Sequence, residues 1–458
     1  MTGYFLRSMV GRSALQRALR DHFKGLELTD IVTAARDFPI TSRVDVHMAI
    51  EQLAAQRGGS RLLGIHSPMN HETPTIAHLM TRGPFPIDIG PLQHDEVDVG
   101  DAAPVRCLKN GLWLLRAGDI PCAILLSPAL RHGQAGGVHV EIAVPAGEPG
   151  ARVSDDAFRE LETRVGAGRT YRGRVISLES YYDPSGRGGA VKVHRLNKVS
   201  RDEVILPATT ISLLDRNVAR FVGSRAQIKS LGFSGKKGLL FYGPPGTGKT
   251  HTIHYLASQL PEHTTLLVTA EQLVFIGEYF RLARFLQPAM MIIEDVDLIA
   301  RERVHMHGAG QEVLLNKLLN EMDGLREDAD VVFILTTNRP DELEPALASR
   351  PGRIDQAIEF PLPDDEGRLK LIKLYSRGLQ IPADLLDVLV RRSKGASPAF
   401  IKELMRRSAQ FQIECGADSL LQRASVDAAI EEMVFVGGTL NLKLLGGSSA
   451  DLSAIRDS

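Results

Sequence analysis

A chain of 458 residues is too long for one ordinary core and suits about two or three domains. Its hydrophobic and charged fractions, 43% and 24%, are those of a globular protein, and a formal net charge of −1 gives no global argument for nucleic acid or an anionic membrane. The cysteines Cys107, Cys122 and Cys415 lie far apart and form no CxxC pair, which fits a reducing compartment and offers no zinc site.

In chain order, the N-terminus MTGYFLRSMVGRSALQRALRDHF lacks a continuous apolar core and a small-residue cleavage site, so it reads as an amphipathic helix rather than a signal peptide. No apolar run approaches the roughly 20 residues of a membrane-spanning helix, and a cytoplasmic protein is expected. Residues 8 to 58 carry helical spacing, with Leu15, Ala18 and Leu19, then Val46, Ala49, Ile50 and Leu53. Residues 58 to 104, rich in Gly, Pro and His, read as irregular structure. Within them, HETPTIAH does not make a zinc protease. HExxH needs histidines four apart on one helical face, whereas Pro74 separates His71 from His78. From 105 to 200 the segments GLWLLRAG, IPCAILLS, GVHVEIAV, YRGRVISLE and AVKVHRL read as short strands, with Trp113 in a strand core. These segments form an N-terminal mixed α/β domain over 1–200, expected to bind cargo or an adaptor. After a linker, strands alternate with helices from residue 207, the sign of a parallel sheet covered on both faces.

That second part opens on GLLFYGPPGTGKTHTIHYLA. Gly243, Gly248, Lys249 and Thr250 fit G-x-x-x-x-G-K-[ST], with a strand before and an apolar helical face after. Glycines let backbone N–H groups curl around phosphate oxygens, and a helix N-terminus adds partial positive charge. The nucleotide-binding set is Gly243, Pro244, Pro245, Gly246, Thr247, Gly248, Lys249, Thr250 and His251. In it Lys249 reaches the outer phosphates and the Thr250 hydroxyl ligates Mg²⁺. The run MMIIEDVDLIA is a buried strand ending in Glu294 and Asp295, at the sheet edge where ligands bind. One acid there holds Mg²⁺ and the next polarises the attacking water. A further strand, DVVFILTTNRP, ends in Asn338, an amide suited to orienting water or the γ-phosphate. Arg350 and Arg353 follow, two guanidiniums able to fork onto a neighbour's nucleotide.

Together these stretches resemble the AAA ATPases, over roughly residues 207 to 436, about half the chain. GPPGTGKT is similar to the Walker A loop, MMIIED to Walker B, and Asn338 to sensor 1. In NRPDELEPALASRPGRID, Arg350 and Arg353 fall on the arginine-finger positions. The resemblance implies a P-loop NTPase sheet with helices on both faces over 207–362, then a small helical lid over 363–437 and a flexible tail over 438–458. It implies ATP and Mg²⁺ as cofactors, a homo-oligomeric ring, usually a hexamer, and a protein client driven through a central pore. Phe275, Ile276 and Gly277 look like the aromatic–hydrophobic–glycine pore loop of threading members, and His305 and His307 fall where a second pore loop stands.

Two departures stand out. The family usually has Asp then Glu at Walker B, whereas here Glu294 falls on the metal acid and Asp295 on the catalytic base. The same order, with the approach NVARFVGSRAQIKSLGFSGKK, resembles the Bcs-type branch, whose membrane helix this chain lacks. Pro398 replaces a usual glycine in GASPAFIKELMRRSA, explained locally by Ser397 as N-cap and proline at the first helical position. Arg406 and Arg407 read as solvated helix face. The function that follows is ATP hydrolysis driving protein remodelling. The alternative is an ATP-controlled binding module that does not thread, and a nucleic-acid motor is disfavoured by the neutral charge.

Overall fold

The computed structural model describes residues 13–57, 60–66, 73–81, 87–131, 134–168, 170–179, 191–297, 310–341, 353–416 and 419–436. Arg350, His71, His305, His307 and the tail from 438 lie outside the described residues. The chain divides into two compact units, 1–195 and 196–458.

The first unit is built on an antiparallel sheet. Its strands are β1 (Ile31–Pro39), β2 (Arg61–His66), β3 (Asp88–Gly90), β6 (Gly111–Ala117), β7 (Ile120–Arg131) and β8 (Gln134–Pro145), in the order β1-β8-β7-β6-β2-β3. Two smaller antiparallel pairs accompany it, β4 (His94–Val97) with β5 (Val105–Leu108), and β9 (Val175–Leu178) with β10 (Val191–His194). Alternation along the strands sends Leu112, Leu114, Ala123 and Leu125 to one face. There they pack with Leu15 and Leu19 of helix α1 (Ala14–His22), and with Ile76 and Leu79 that follow. Helix α2 (Arg43–Gln56) buries Val46, Ala49, Ile50 and Leu53, the positions its periodicity marks. The short helix α3 spans Ile76–Met80, and α4 (Glu148–Ala167) packs against both α2 and β8.

Two expectations are corrected here. The stretch from 8 to 58 is not helical throughout, because residues 31–39 form β1, paired with β8 from Ile31 opposite Pro145 to Pro39 opposite Gly137. Local spacing gave no sign of a partner more than a hundred residues away. Residues 58 to 104 are not irregular throughout either, since β2, α3, β3 and β4 all fall there. These elements are short and flanked by Gly and Pro, so the punctuation masked them, and their order comes from pairing across the sheet.

The second unit holds a parallel sheet of β11 (Lys237–Tyr242), β12 (Thr264–Val268), β13 (Ala289–Ile293), β14 (Val331–Thr337) and β15 (Gln356–Glu359). Their order is β12-β13-β14-β11-β15. Every residue of β13 and β14 is buried, as continuous apolar runs require in a sheet covered on both faces. Around the sheet lie α5 (Ala208–Leu214), α6 (Phe221–Ser230), α7 (Lys249–Gln259), α8 (Ile276–Phe285) and α9 (Gly310–Asp323). The order puts β11 beside β14 and β14 beside β13, so the loops leaving all three strands converge at one edge. A helical bundle follows: α10 (Asp365–Tyr375), α11 (Ala383–Arg392), α12 (Pro398–Glu414) and α13 (Arg423–Ile430). It has its own core of Leu371, Leu389, Phe400, Ile401, Leu404, Val426 and Ile430, each such side chain contributing ~2 kcal/mol on burial. Among the described residues no helix is long and apolar enough to cross a membrane.

Candidate functional site

The turn from Gly243 to Gly248 leaves the end of β11 and enters α7. Its shape depends on two glycines. At Gly243, with φ +148°, a Cβ would sit 2.3 Å from the carbonyl oxygen of Phe360. At Gly246, with φ +75°, it would meet Ala399 Cβ at 2.9 Å and Ser397 Oγ at 3.1 Å. Any side chain at either position closes the turn against its neighbours. The Thr247 hydroxyl donates to the Pro244 carbonyl at 2.9 Å, bracing the loop from inside.

Lys249 is 7% exposed and folds over the turn, its ammonium donating to Gly243 O at 2.8 Å, Pro244 O at 3.0 Å and Asn338 Oδ1 at 2.8 Å. Burial pushes its pKa down to about 8, against the pull of the Asp295 and Asp297 carboxylates. The other end of the same amide, Asn338 Nδ2, donates to Asp295 Oδ1 at 3.1 Å. Asn338 therefore bridges the lysine of the phosphate loop and the second acid of β13. The first acid takes a different partner: the Thr250 hydroxyl donates to Glu294 Oε1 at 2.9 Å. Asp295 stands at φ +49°, an uncommon conformation for a residue with a Cβ, and its N–H is anchored on Thr336 Oγ1 at 3.0 Å.

A third acid, Asp297, went unnoticed in the sequence. It is 3% exposed and accepts from Thr337 Oγ1 at 2.8 Å and from the Asn338 N–H at 3.1 Å. The available signal was its spacing, two residues beyond Asp295, together with the polar run Thr336-Thr337-Asn338 closing an otherwise apolar strand. His251 directs its ring nitrogen to the Glu203 carbonyl at 3.1 Å, so its side chain ties α7 to the segment before the sheet.

Two further candidates remain. Arg353 is 8% exposed and forks onto Asp323 at the end of α9, with Nε at 3.1 Å from Oδ1 and the second nitrogen on Oδ2. Within its own chain this enclosed guanidinium is paired as a strut between α9 and the segment before β15. The stretch at Phe275 is not an open loop. It is a 3-10 turn, Ala270–Phe275, running directly into α8. Ile276 is fully buried and Gly277 lies in the first helical turn, while Phe275 is half-buried at the helix start. The amphipathic run through Tyr279, Phe280 and Ala283 carries the helix past the glycine.

The helical bundle touches the loop directly, as the Ala399 N–H donates to the Gly246 carbonyl at 3.2 Å. Ser397 caps α12 by accepting from Phe400 N at 3.2 Å, with Pro398 as the first helical residue. Arg406 and Arg407 both bind Glu403, and together they hold its carboxyl down to about 2.

Residues 239–362 match the family described as "ATPase family associated with various cellular activities (AAA)". Residues 239–362 of the second unit form an AAA domain. The chain is similar to the proteasome-activating nucleotidase of Methanothermobacter thermautotrophicus, 33% identical over 213 residues, covering 44% of this chain and 52% of that protein. It is also similar to the proteasome-activating nucleotidase of Pyrococcus abyssi, 38% identical over 197 residues, covering 40% and 49%. A third relative is the ATP-dependent zinc metalloprotease FtsH of Thermus thermophilus, 29% identical over 288 residues, covering 57% and 46%. The chain spans about half the length of these curated relatives.

The AAA domain fits its expected ligands. The cradle at Gly243 and Gly246 admits only backbone, which suits phosphate oxygens. A threonine hydroxyl beside a carboxylate is an all-oxygen donor pair of the kind Mg²⁺ takes.

Proposed function

We propose that this chain hydrolyses ATP and uses the energy to remodel protein, working as a ring of copies. The observation that carries the reading is the single amide, Asn338, joining Lys249 to Asp295 beside the separate pair of Thr250 and Glu294. That division gives two acids two roles. Thr250 and Glu294 would hold Mg²⁺, which when bound neutralises charge on the phosphates. Lys249 turns its ammonium from the loop carbonyls to the outer phosphates. Asp295, held by Asn338, accepts the proton of the attacking water, and Asn338 keeps that carboxylate aimed. Arg350 of an adjacent copy stabilises transition-state charge, a role worth about 10³-fold or more in related phosphoryl transfers. The bundle follows nucleotide state through the Ala399–Gly246 contact. Phe275 grips an extended client, and the first unit selects it.

The relatives support the protein client. Their names describe a nucleotidase that activates a proteasome and an ATP-dependent protease. The test is ATP turnover with and without an unfoldable client. Asp295→Asn should abolish turnover and retain ATP binding, and Phe275→Ala should retain turnover and lose client unfolding. Undiminished unfolding by Phe275→Ala would remove the threading step.

One observation favours a second reading, an ATP-controlled binding module. Asp295 is a methylene shorter than the family's usual base, and a misplacement of about 1 Å can cost about 10²-fold in rate. Partner release far faster than turnover, and unchanged in Asp295→Asn, would select that reading.

A further inference from the structure

Asn338 does its work only if its amide keeps one orientation, oxygen toward Lys249 and nitrogen toward Asp295. An asparagine side chain by itself has no reason to hold that pose at the end of a strand, where the main chain is about to turn. Asp297 fixes the main chain from which that amide projects. A single carboxylate oxygen, Oδ1, takes both the Thr337 hydroxyl at 2.8 Å and the Asn338 N–H at 3.1 Å. The Thr337 hydroxyl is itself committed in one sense, because its oxygen accepts the Arg339 N–H at 2.9 Å and its proton therefore goes to Asp297. Asp297 is 3% exposed, so this carboxylate has little water, and among the described residues these two donors hold it. The adjoining segment is cross-linked a second time. Asp295 N–H reaches Thr336 Oγ1 at 3.0 Å and Val296 N–H reaches Thr336 O at 2.9 Å. The ends of β13 and β14 are thus laced together residue by residue, and Asp297 is the acid that holds the Asn338 main chain while Asp295 takes its amide.

We infer that Asp297 is a positioning residue for hydrolysis, setting the main chain at Thr337 and Asn338 so that the Asn338 amide meets Lys249 and Asp295 at once. It touches neither nucleotide nor water in this scheme and acts through Asn338. The inference rests on the ATPase reading and names a residue that reading does not use.

The test is a double-mutant cycle on the full chain, reading kcat and KM for ATP. Asp297→Asn keeps the shape and replaces one acceptor oxygen with a donor. It should lower kcat by about 10- to 100-fold, the scale of a site misplaced by about 1 Å, and leave KM within about threefold. Asn338→Ala should lower kcat similarly. The Asp297→Asn/Asn338→Ala chain should be no slower than Asn338→Ala alone, because the group through which Asp297 acts is already gone. A structural role elsewhere predicts the opposite, losses that multiply. If Asp297→Asn does not fold, Thr337→Val carries the same cycle, removing one donor and keeping the carboxylate on the Asn338 N–H, with Thr337→Ser restoring the rate. Multiplying losses, or an unchanged kcat in Asp297→Asn, would overturn the inference with the ATPase reading intact. No ATP turnover by the wild-type chain would overturn the ATPase reading and this inference with it.

Discussion

Lys249 and Asn338, 89 positions apart, meet at 2.8 Å across the end of the parallel sheet. The lysine begins the helix after β11 and the asparagine directly follows β14, and these strands are neighbours in the sheet. In the proposed mechanism the contact joins the group that would handle phosphate to the group that would hold the catalytic base, Asp295. Replacing Asn338 with Ala should therefore lower kcat by about 10²-fold, the scale of losing one preorganised polar group, with binding of a non-hydrolysable ATP analogue changed by only a few-fold. Steady-state turnover set beside analogue titration separates the two effects.

Thr250 and Glu294 make a prediction of a different kind. Their 2.9 Å contact is a donor pair for a hard cation. Thr250→Ala and Glu294→Gln should each raise the Mg²⁺ concentration needed for half-maximal ATPase activity, by at least about tenfold. Titrating Mg²⁺ at saturating ATP checks this, and an unshifted midpoint in both variants would assign the metal elsewhere.

Arg353 should behave as a structural residue. Its guanidinium is enclosed, and removing it leaves the Asp323 carboxylate without its fork. Arg353→Ala should destabilise the AAA domain by about 1 kcal/mol, since Asp323 is half exposed and regains water, and Arg353→Lys should recover only part of that. Denaturant midpoints measure it. Arg350→Ala, by contrast, should leave the midpoint in place and depress the turnover of assembled rings.

His263 gives a pH dependence. Burial next to Arg225 holds its pKa down to about 4, so the folded chain keeps it neutral. Between about pH 4 and 6.5 the unfolded chain binds a proton that the folded chain does not. Stability is therefore full above about 6.5 and falls as pH drops toward 4, by up to about 3 kcal/mol. Unfolding midpoints at pH 7.5 and pH 5 should differ more for the wild type than for His263→Gln.

Gly246 tests the cradle. Gly246→Ala places a methyl against Ala399 and Ser397 while straining a positive φ. ATP affinity should fall by about tenfold or more, read by fluorescent-analogue binding. Ser397→Ala should instead cost about 1 kcal/mol of stability through the lost cap of α12.

Much of the AAA domain was legible in the sequence. The turn at 243–248, the apolar run into Glu294 and Asp295, and Asn338 were all read from residue type and spacing, because each is a local requirement of backbone shape or strand burial. The misses share a cause. β1 was hidden because its hydrogen bonds go to β8, far along the chain. Asp297 was passed over because an acid near a strand end looks solvated until its two donors on β14 are seen.

The residues by themselves determined that a phosphate-binding turn stands between a buried strand and a helix, with acids at the end of another strand, since those patterns are set by neighbours a few positions away. Only the tertiary structure decided which acid faces Thr250 and which faces the Asn338 amide, that Arg353 points inward, and that Asp297 accepts the Asn338 N–H. Those choices depend on strand order, and strand order is a matter of which distant segments pair, where chain proximity carries no information.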